Sequence, residues 1–328
     1  MTESSARRTQ VTGRAVGLPG VLCPSCGAVV ELNPRESGCT CGWVARWQDR
    51  VLNWTNERDA FYEGRYENEV HFDTDRLNGL GGRLLLHFLV YGYYEAILRF
   101  LPAGATVLDI GCAGGSKLLA ESRRMVGLDI SFQALEKAAT KYEFAIRSDV
   151  RNIDFSPASF EGIISSCFWE HVQFEDKDLL LHSFYRWLRP RGKLVFLFDV
   201  ASQNPLFNWA RKQLDLWREG FIEHDGHYGL ETASEALRRF AEQGFSVRWW
   251  HAINRSPVQH LPVWGWFQPY GRRFPWLRPL PKFGHWVESR LLPNRLYTGA
   301  LQAFDDTLGR LLPMDWARLL LVVLEKPA

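Results

Sequence analysis

Surplus charge is the first thing missing. Across 328 residues, 39 Lys and Arg face 37 Asp and Glu, leaving a net charge of +2. A balance that small does not by itself point to nucleic acid or a membrane. A secretory leader is not expected either. Residues 1–20 are polar, carry Arg7, Arg8 and Arg14, and hold no apolar segment, so they read as a mobile tail. Nor does any stretch read as a membrane span. The most apolar run, 84–101, contains His87, Glu95 and Arg99, which suit a buried helix better than a bilayer. No internal repeat is visible. Disulfide chemistry is also poorly served: of six cysteines, four crowd between Cys23 and Cys41, whereas a secreted scaffold spreads them through a small chain. A cytoplasmic protein is the expectation.

The chain has ample core material. Hydrophobic residues make up 46% and charged residues 23%, enough for one large domain with appendages or for two domains. Fourteen Trp and twenty-one Phe are more than usual. Many of them fall after Pro190.

The clustered cysteines pair as Cys23 with Cys26 and Cys39 with Cys41, in "LCPSCGAVVELNPRESGCTCGW". Zinc takes four thiolates at the corners of a tetrahedron, and two short cysteine turns on a hairpin supply them. Gly27 and Gly42 follow the pairs and relieve each turn, letting backbone N–H groups approach the sulfurs. The segment is too poor in apolar residues to fold alone, so a metal would hold it together. The reading is a structural zinc site of zinc-ribbon type on Cys23, Cys26, Cys39 and Cys41. All four ligands would be protein, with no open position for a substrate.

From residue 105 onward apolar strands alternate with helices. Strands are expected at 107–110, 125–130, 144–150, 162–166, 193–200 and 245–253, with a last one near 317–328. Helices are expected at 116–123, 132–142, 176–188 and 232–243. The pattern predicts an α/β fold with a doubly wound, mostly parallel, seven-stranded sheet. The division expected is a flexible tail (1–20), a zinc-ribbon-like module (21–52), a helical N-terminal cap (53–104), a ligand-binding domain (105–254) with a lid around 201–231, an aromatic and basic insertion (255–316), and the last strand of the domain (317–328). The insertion is too rich in Trp to be a solvated linker.

The most informative stretch is "VLDIGCAGGSK", residues 107–117. Strand, tight turn and helix make an anion site at a helix N-terminus. The dinucleotide spacing G-x-G-x-x-G is not matched, and Asp109 would repel a pyrophosphate. A ligand with a cationic amino group would be attracted instead. These residues resemble the first motif, D-x-G-x-G-x-G, of the class I S-adenosylmethionine-dependent methyltransferase family. Asp109, Gly111 and Gly115 match it. Ala113 stands at the middle glycine, a departure that calls for negative φ there. "VGLDIS" ends the next strand with Asp129, where a carboxylate can accept both ribose hydroxyls. "RSDVRNIDF", "FEGIISSCFWEHV" and "LRPRGKLVFLF" resemble the third to fifth family stretches in order. The resemblance implies a Rossmann-like fold, S-adenosylmethionine as cofactor, and methyl transfer. It implies cofactor contacts from Asp109, Gly111, Ala113, Gly115, Asp129, Ile130, Asp149, Val150 and Ser166, with Asp149 holding the adenine amino group. Tyr62 and Tyr66 are expected to fold over the cofactor.

Candidate bases are His171, after the fourth strand of the domain, and His224 and His227 in "EHDGHYG". Some relatives bind a metal through E-x-x-E-H after that strand. Cys167 stands at the first of those positions, so no catalytic metal is expected. Three acceptor readings follow. The first is a small molecule such as a sugar, polyketide or other secondary metabolite, methylated on O or N. The second is RNA, favoured by the zinc module and by Arg272, Arg273, Arg278, Lys282, Arg290 and Arg295 among aromatics, and disfavoured by the small net charge. The third is a membrane-peripheral protein or an enzyme for a lipid-linked acceptor, since Trp with Arg suits a lipid interface. Oligomeric state has no signal in the sequence.

Overall fold

The computed structural model describes residues 20–30, 37–54, 62–63 and 91–328. Tyr66 lies outside the described residues, as do residues 84–90 of the apolar run.

Two small hairpins come first. Strands β1 (Val21–Leu22) and β2 (Val29–Val30) pair antiparallel around the first cysteine pair. Strands β3 (Arg46–Gln48) and β4 (Val51–Asn53) pair antiparallel after the second. Asp49 and Arg50 join the latter two with φ of 47° and 69°. Positive φ at both loop residues is the hairpin turn whose twist matches the strands.

Seven longer strands follow: β5 (Thr106–Ile110), β6 (Arg124–Asp129), β7 (Phe144–Arg147), β8 (Phe160–Ser166), β9 (Leu188–Asp199), β10 (Ser246–Ile253) and β11 (Leu319–Glu325). Their order across the sheet is β10-β11-β9-β8-β5-β6-β7-β4-β3. Strands β5 to β9 run parallel, and β11 inserts antiparallel between β9 and β10. The seven expected strands are therefore joined by two from the cysteine-bearing segment. Without β4, the edge of β7 would offer unpaired peptide groups to any passing strand. β4 lies parallel to it, with Val51 opposite Ala145, and covers that edge.

Period-2 alternation explains the layering. Leu108, Ile110, Val126, Leu128, Phe196 and Phe198 point into one core with the helices Phe174–Trp187 and Ala233–Glu242. Val107, Met125, Val195 and Leu197 point into a second core with the helices Tyr93–Phe100 and Phe132–Ala138. All five residues of β5 are buried, as a central parallel strand requires. The chain leaves β5 toward β6 on one side, while β8 lies on its other side. Ligands of open parallel sheets bind outside the strand ends at such a reversal.

A third core lies apart from both sheet faces. Phe207, Leu216 and Phe221 from the connection after β9 meet Leu261, Trp264, Trp266, Phe267 and Tyr270 from the insertion. The insertion is helical, with helices Leu261–Trp266, Pro279–Glu288 and Leu291–Asp306 as its main elements. Two chain segments that neither face of the sheet requires thus bury each other. Gly220 allows their closest approach: a Cβ there would sit 2.2 Å from the Trp266 carbonyl oxygen.

Candidate active site

The β5–β6 end of the sheet builds a cradle. Asp109 is buried at the end of β5, and its carboxylate accepts a 2.6 Å hydrogen bond from the Tyr142 hydroxyl. The same hydroxyl accepts from the Ser116 N–H at 2.8 Å, so Tyr142 ties the strand end to the start of the next helix. Burial pushes the Asp109 carboxyl up to about 7, against the Tyr142 hydrogen bond and aided by the nearby Asp129 charge. A buried anion with one neutral donor and a like charge nearby is short of a cation.

The loop itself is left-handed at three points: Gly111 (φ 65°), Ala113 (φ 44°) and Gly115 (φ 67°). Negative φ at Ala113 was the expectation, and the structure corrects it. The physical reason is the Asp129 carboxylate, which accepts the Ala113 N–H at 2.9 Å and holds the residue in that conformation. At Gly115 a side chain would meet the Ala138 Cα at 3.2 Å and the Tyr142 ring at 3.1 Å, so the loop packs directly on the end of helix Phe132–Ala138.

Asp129 also accepts the Ser131 N–H at 2.9 Å, which spends much of its capacity on the local backbone. Burial raises its pKa against those backbone hydrogen bonds. Asp149 caps the turn Val150–Asn152 and pairs with Arg151 at 2.5 Å. Burial works to raise its pKa, but the Arg151 side chain and backbone outweigh it and hold the carboxyl below its usual value. Glu63 is a contact the sequence reading did not foresee. Its carboxylate accepts from the Phe132 N–H at 3.2 Å, the Ser131 hydroxyl at 3.3 Å and Arg147 at 3.1 Å. That staples residues 62–63 to the ends of β6 and β7 and brings the Tyr62 ring 6.0 Å from the His171 ring, edge-on.

One cavity of about 1290 Å³ collects these residues. Asp109, Gly111, Ala113, Gly115, Asp129, Ile130, Asp149, Val150, Ser166 and Tyr62 line it, and so do His171, His224 and His227. The helical segments add Trp266, Arg295 and Thr298 to the lining.

The three histidines differ. His171 Nδ1 lies 3.0 Å from the Gly226 carbonyl oxygen, which can only accept, so Nδ1 carries the proton and Nε2 keeps a lone pair. Burial, then the neighbouring His227, lower its pKa to about 4. His227 is buried, 5.3 Å from the His171 ring and 5.4 Å from the Trp266 ring, and burial lowers its pKa as well. His224 is exposed and pairs with Asp225 at 2.7 Å. A buried ion pair holds the loop that carries His227. Lys177 lies 2.8 Å from Glu231 and donates to the Gly229 carbonyl at 2.7 Å, while Glu231 also accepts from Trp169 and Arg239. Nothing in the sequence signalled that pair, because its members lie 54 residues apart. Among the described residues, Glu170, His171 and His227 bring ligand-type atoms within 4.8 Å of one another, as do Cys167, Glu170 and Asp199. Glu170 accepts from the Asp199 N–H at 3.3 Å, a structural use for its carboxylate.

The four N-terminal cysteines form a separate cluster. Their Sγ atoms all lie within 4.8 Å of one another, with Cys23 to Cys41 at 3.6 Å and Cys26 to Cys39 at 3.4 Å. A disulfide requires ~2.05 Å, and all four are free thiols. The N–H groups of Gly27 and Gly42 donate to the carbonyls of Cys23 and Cys39, closing the two turns. The Cys41 backbone N–H and then the Cys26 thiol lower Cys39 to about 6. The Ala28 N–H works to lower Cys26, yet the neighbouring thiols push it up to about 12.

Comparison with known proteins gives this geometry a family. The family described as "Methyltransferase domain" matches residues 85–248, half of the chain. Phosphoethanolamine N-methyltransferase of Triticum aestivum is 30% identical over 208 residues, 56% of this chain and 37% of that protein. Phosphoethanolamine N-methyltransferase 3 of Arabidopsis thaliana is 34% identical over 235 residues, 65% of this chain and 44% of that protein. The chain thus spans under half the length of these curated relatives. Among solved structures, phosphoethanolamine N-methyltransferase 2 of Haemonchus contortus aligns at 17% identity with a TM-score of 0.46, covering 73% of this chain and 53% of that one. With a matching family over residues 85–248 and a parallel sheet that carries Asp109 and Asp129 at adjacent strand ends, the chain belongs to the class I S-adenosylmethionine-dependent methyltransferases.

Proposed function

We propose that the protein transfers a methyl group from S-adenosylmethionine to a hydroxyl or amine of a small molecule bound beside it in the same cavity. The observation that carries this is the continuity of the cavity from the Asp109–Asp129 cradle to His171 and His227. The donor-binding residues fit the cofactor. The buried Asp109 carboxylate lacks a cationic partner among the described residues and suits an amino group. Asp129 suits ribose hydroxyls once it releases the Ala113 or Ser131 N–H. Asp149 and Val150 suit the adenine.

When bound, S-adenosylmethionine supplies a methyl group on a sulfonium, a leaving group good enough that alignment is the protein's main task. Positioning of that kind lowers a barrier by roughly 7–11 kcal/mol. His171 lines the proposed acceptor space, and its Nε2 keeps a lone pair. Its low basicity suits it to accept a hydrogen bond first, and to take a proton that becomes strongly acidic only as the new bond to carbon forms. His227 narrows the same wall, and the Lys177–Glu231 pair fixes its loop. His224, exposed and paired with Asp225, sits at the rim.

The relatives named above are N-methyltransferases of phosphoethanolamine, which supports an amine acceptor without specifying it. The test is label transfer from methyl-labelled S-adenosylmethionine to a panel of amino-alcohol phosphates, sugars and phenols. Label entering one class identifies the acceptor. Failure to bind S-adenosylhomocysteine would remove the whole reading.

We also propose one structural zinc ion on Cys23, Cys26, Cys39 and Cys41. A Zn–S bond of ~2.3 Å sets tetrahedral sulfurs ~3.8 Å apart, near the 3.4 and 3.6 Å seen. Its role would be to hold the module against β7. Thiol-selective release should yield one zinc per chain, and a metal-free preparation that keeps its fold would contradict the assignment.

A further inference from the structure

The helical insertion turns an unusual face outward. On helix Pro279–Glu288, Gly284 and Val287 are buried, with Gly284 against Trp264, while Lys282, Phe283 and Trp286 are exposed on the other side. On helix Leu291–Asp306, Thr298, Gln302 and Asp305 are buried, while Leu292, Arg295 and Leu296 are exposed. The two helices pack on each other, and Phe283 of one lies 6.1 Å from Tyr297 of the other. Trp276, just before the first, is 68% exposed, and Leu292 and Leu296 are 66% and 64% exposed. Scattered apolar residues are ordinary on a surface. Five large ones on three adjoining elements, beside the cavity-lining residues Glu288, Asn294, Arg295 and Thr298, are a patch with a use.

Charge says which use. Residues 270–296 hold six Lys or Arg and one acid, Glu288. Arg272 and Arg273 already pair with Glu219 and Asp215. Lys282, Arg290 and Arg295 have no ion-pair partner among the described residues. Arg290 lies 4.7 Å over the Trp286 ring, so cation and indole share one place. Exposed Trp, Phe and Leu framed by basic side chains match the boundary of an anionic bilayer, where rings and aliphatic chains enter the headgroup region and Lys and Arg meet lipid phosphates. RNA is the poorer fit. Leu292 and Leu296 have no ring to stack on a base, and two of the six cations are spent internally.

Placement joins this surface to the cavity. Arg295 lies beside Leu292 and Leu296 on the outer face and also lines the cavity, with Glu288, Asn294 and Thr298 of the same elements. We propose that the outer face of residues 276–296 docks on an anionic lipid surface, and that the acceptor is an amphiphile held there whose reactive end enters past Arg295. The second half rests on the methyltransferase reading; the first stands on the surface alone.

Vesicle flotation of the full chain tests it, with phosphatidylcholine vesicles alone and with vesicles that also contain phosphatidylglycerol. The expected result is flotation with the anionic vesicles, about tenfold stronger than with neutral ones at low salt and weakening as salt rises. Trp286→Ser with Leu296→Ser should reduce it by about tenfold. Lys282→Glu with Arg290→Glu should erase the preference for anionic lipid. None of these four residues lines the cavity, so S-adenosylhomocysteine affinity measured without lipid should stay at the wild-type value, which also shows that each variant is folded. Absence of flotation would overturn the proposal, as would flotation that the variants leave intact. It would equally fall if the same variants dissolved a dimer or abolished binding to RNA instead. Loss of S-adenosylhomocysteine binding by the wild-type chain would strike the catalytic reading and leave the lipid contact standing.

Discussion

The two ends of the cavity are built differently. The end proposed for the donor consists of strand ends and the turns directly after them: Asp109, Gly111 to Gly115, Asp129 and Asp149. Each is fixed by bonds to residues within about one βαβ unit, such as Tyr142 to Asp109 and Asp129 to Ala113. The end proposed for the acceptor joins His171, just after β8, to two segments outside the sheet, residues 201–231 and 255–316, which pack on each other. A site on strand ends inherits the rigidity of the sheet. A wall made by two helical segments depends on its own small core, and it can change without disturbing the cofactor.

Substitutions that strike one end and spare the other sharpen the contrast. The largest effect is expected from Phe221→Ala, which empties the middle of the third core. Removal of a fully buried Phe costs about 3–5 kcal/mol, so the helical segments should lose protection in hydrogen exchange while S-adenosylhomocysteine affinity changes little. If cofactor affinity collapses as well, the two ends are not separable. Next is Asp109→Asn, which should weaken S-adenosylhomocysteine by about a hundredfold, or ~2.7 kcal/mol. The same variant should be more heat-stable than wild type at pH 8. Burial raises the Asp109 carboxyl to about 7, well above its unfolded value. Its contribution to stability is therefore full below the unfolded pKa and is lost as pH rises through about 7, and Asn removes that loss. A lower melting temperature at pH 8 would contradict the burial argument.

Asp129→Ala follows, with cofactor affinity expected to fall more than tenfold in calorimetry. Unchanged affinity would mean the ribose is held elsewhere. The smallest effect is the pH response of the wild type. S-adenosylhomocysteine affinity should fall by up to about tenfold between pH 8 and pH 6, as Asp109 takes up its proton. The Asp109→Asn variant should show a flat profile over the same range.

The same contrast explains what the sequence disclosed. The geometry of the proposed donor end was legible because its contacts are local: "VLDIGCAGGSK" and "VGLDIS" each place a carboxylate at a strand end followed by a turn, and the spacing carries the geometry. One local detail escaped. Ala113 adopts positive φ because Asp129 captures its N–H, a contact across 16 residues that no motif encodes. The acceptor end was legible as composition only. Trp and Phe in residues 255–316 announced a core, but not that its other half lay around Phe207 and Phe221. Glu63 and the Lys177–Glu231 pair were invisible for the same reason: charged residues look like solvated surface until a partner 54 or more residues away buries them. The cysteine spacing indicated a cluster, while the pairing of β4 with β7 depended on an edge that only the assembled sheet reveals.

The central claim is that the Asp109 carboxylate meets the amino group of a nucleoside amino acid. The direct measurement is a calorimetric cycle of wild type and Asp109→Asn against S-adenosylhomocysteine and its analogue lacking the α-amino group. The account predicts that the wild type binds the analogue far more weakly, and that the variant binds the two ligands almost equally. An equal loss on removing the amino group in both proteins would contradict it.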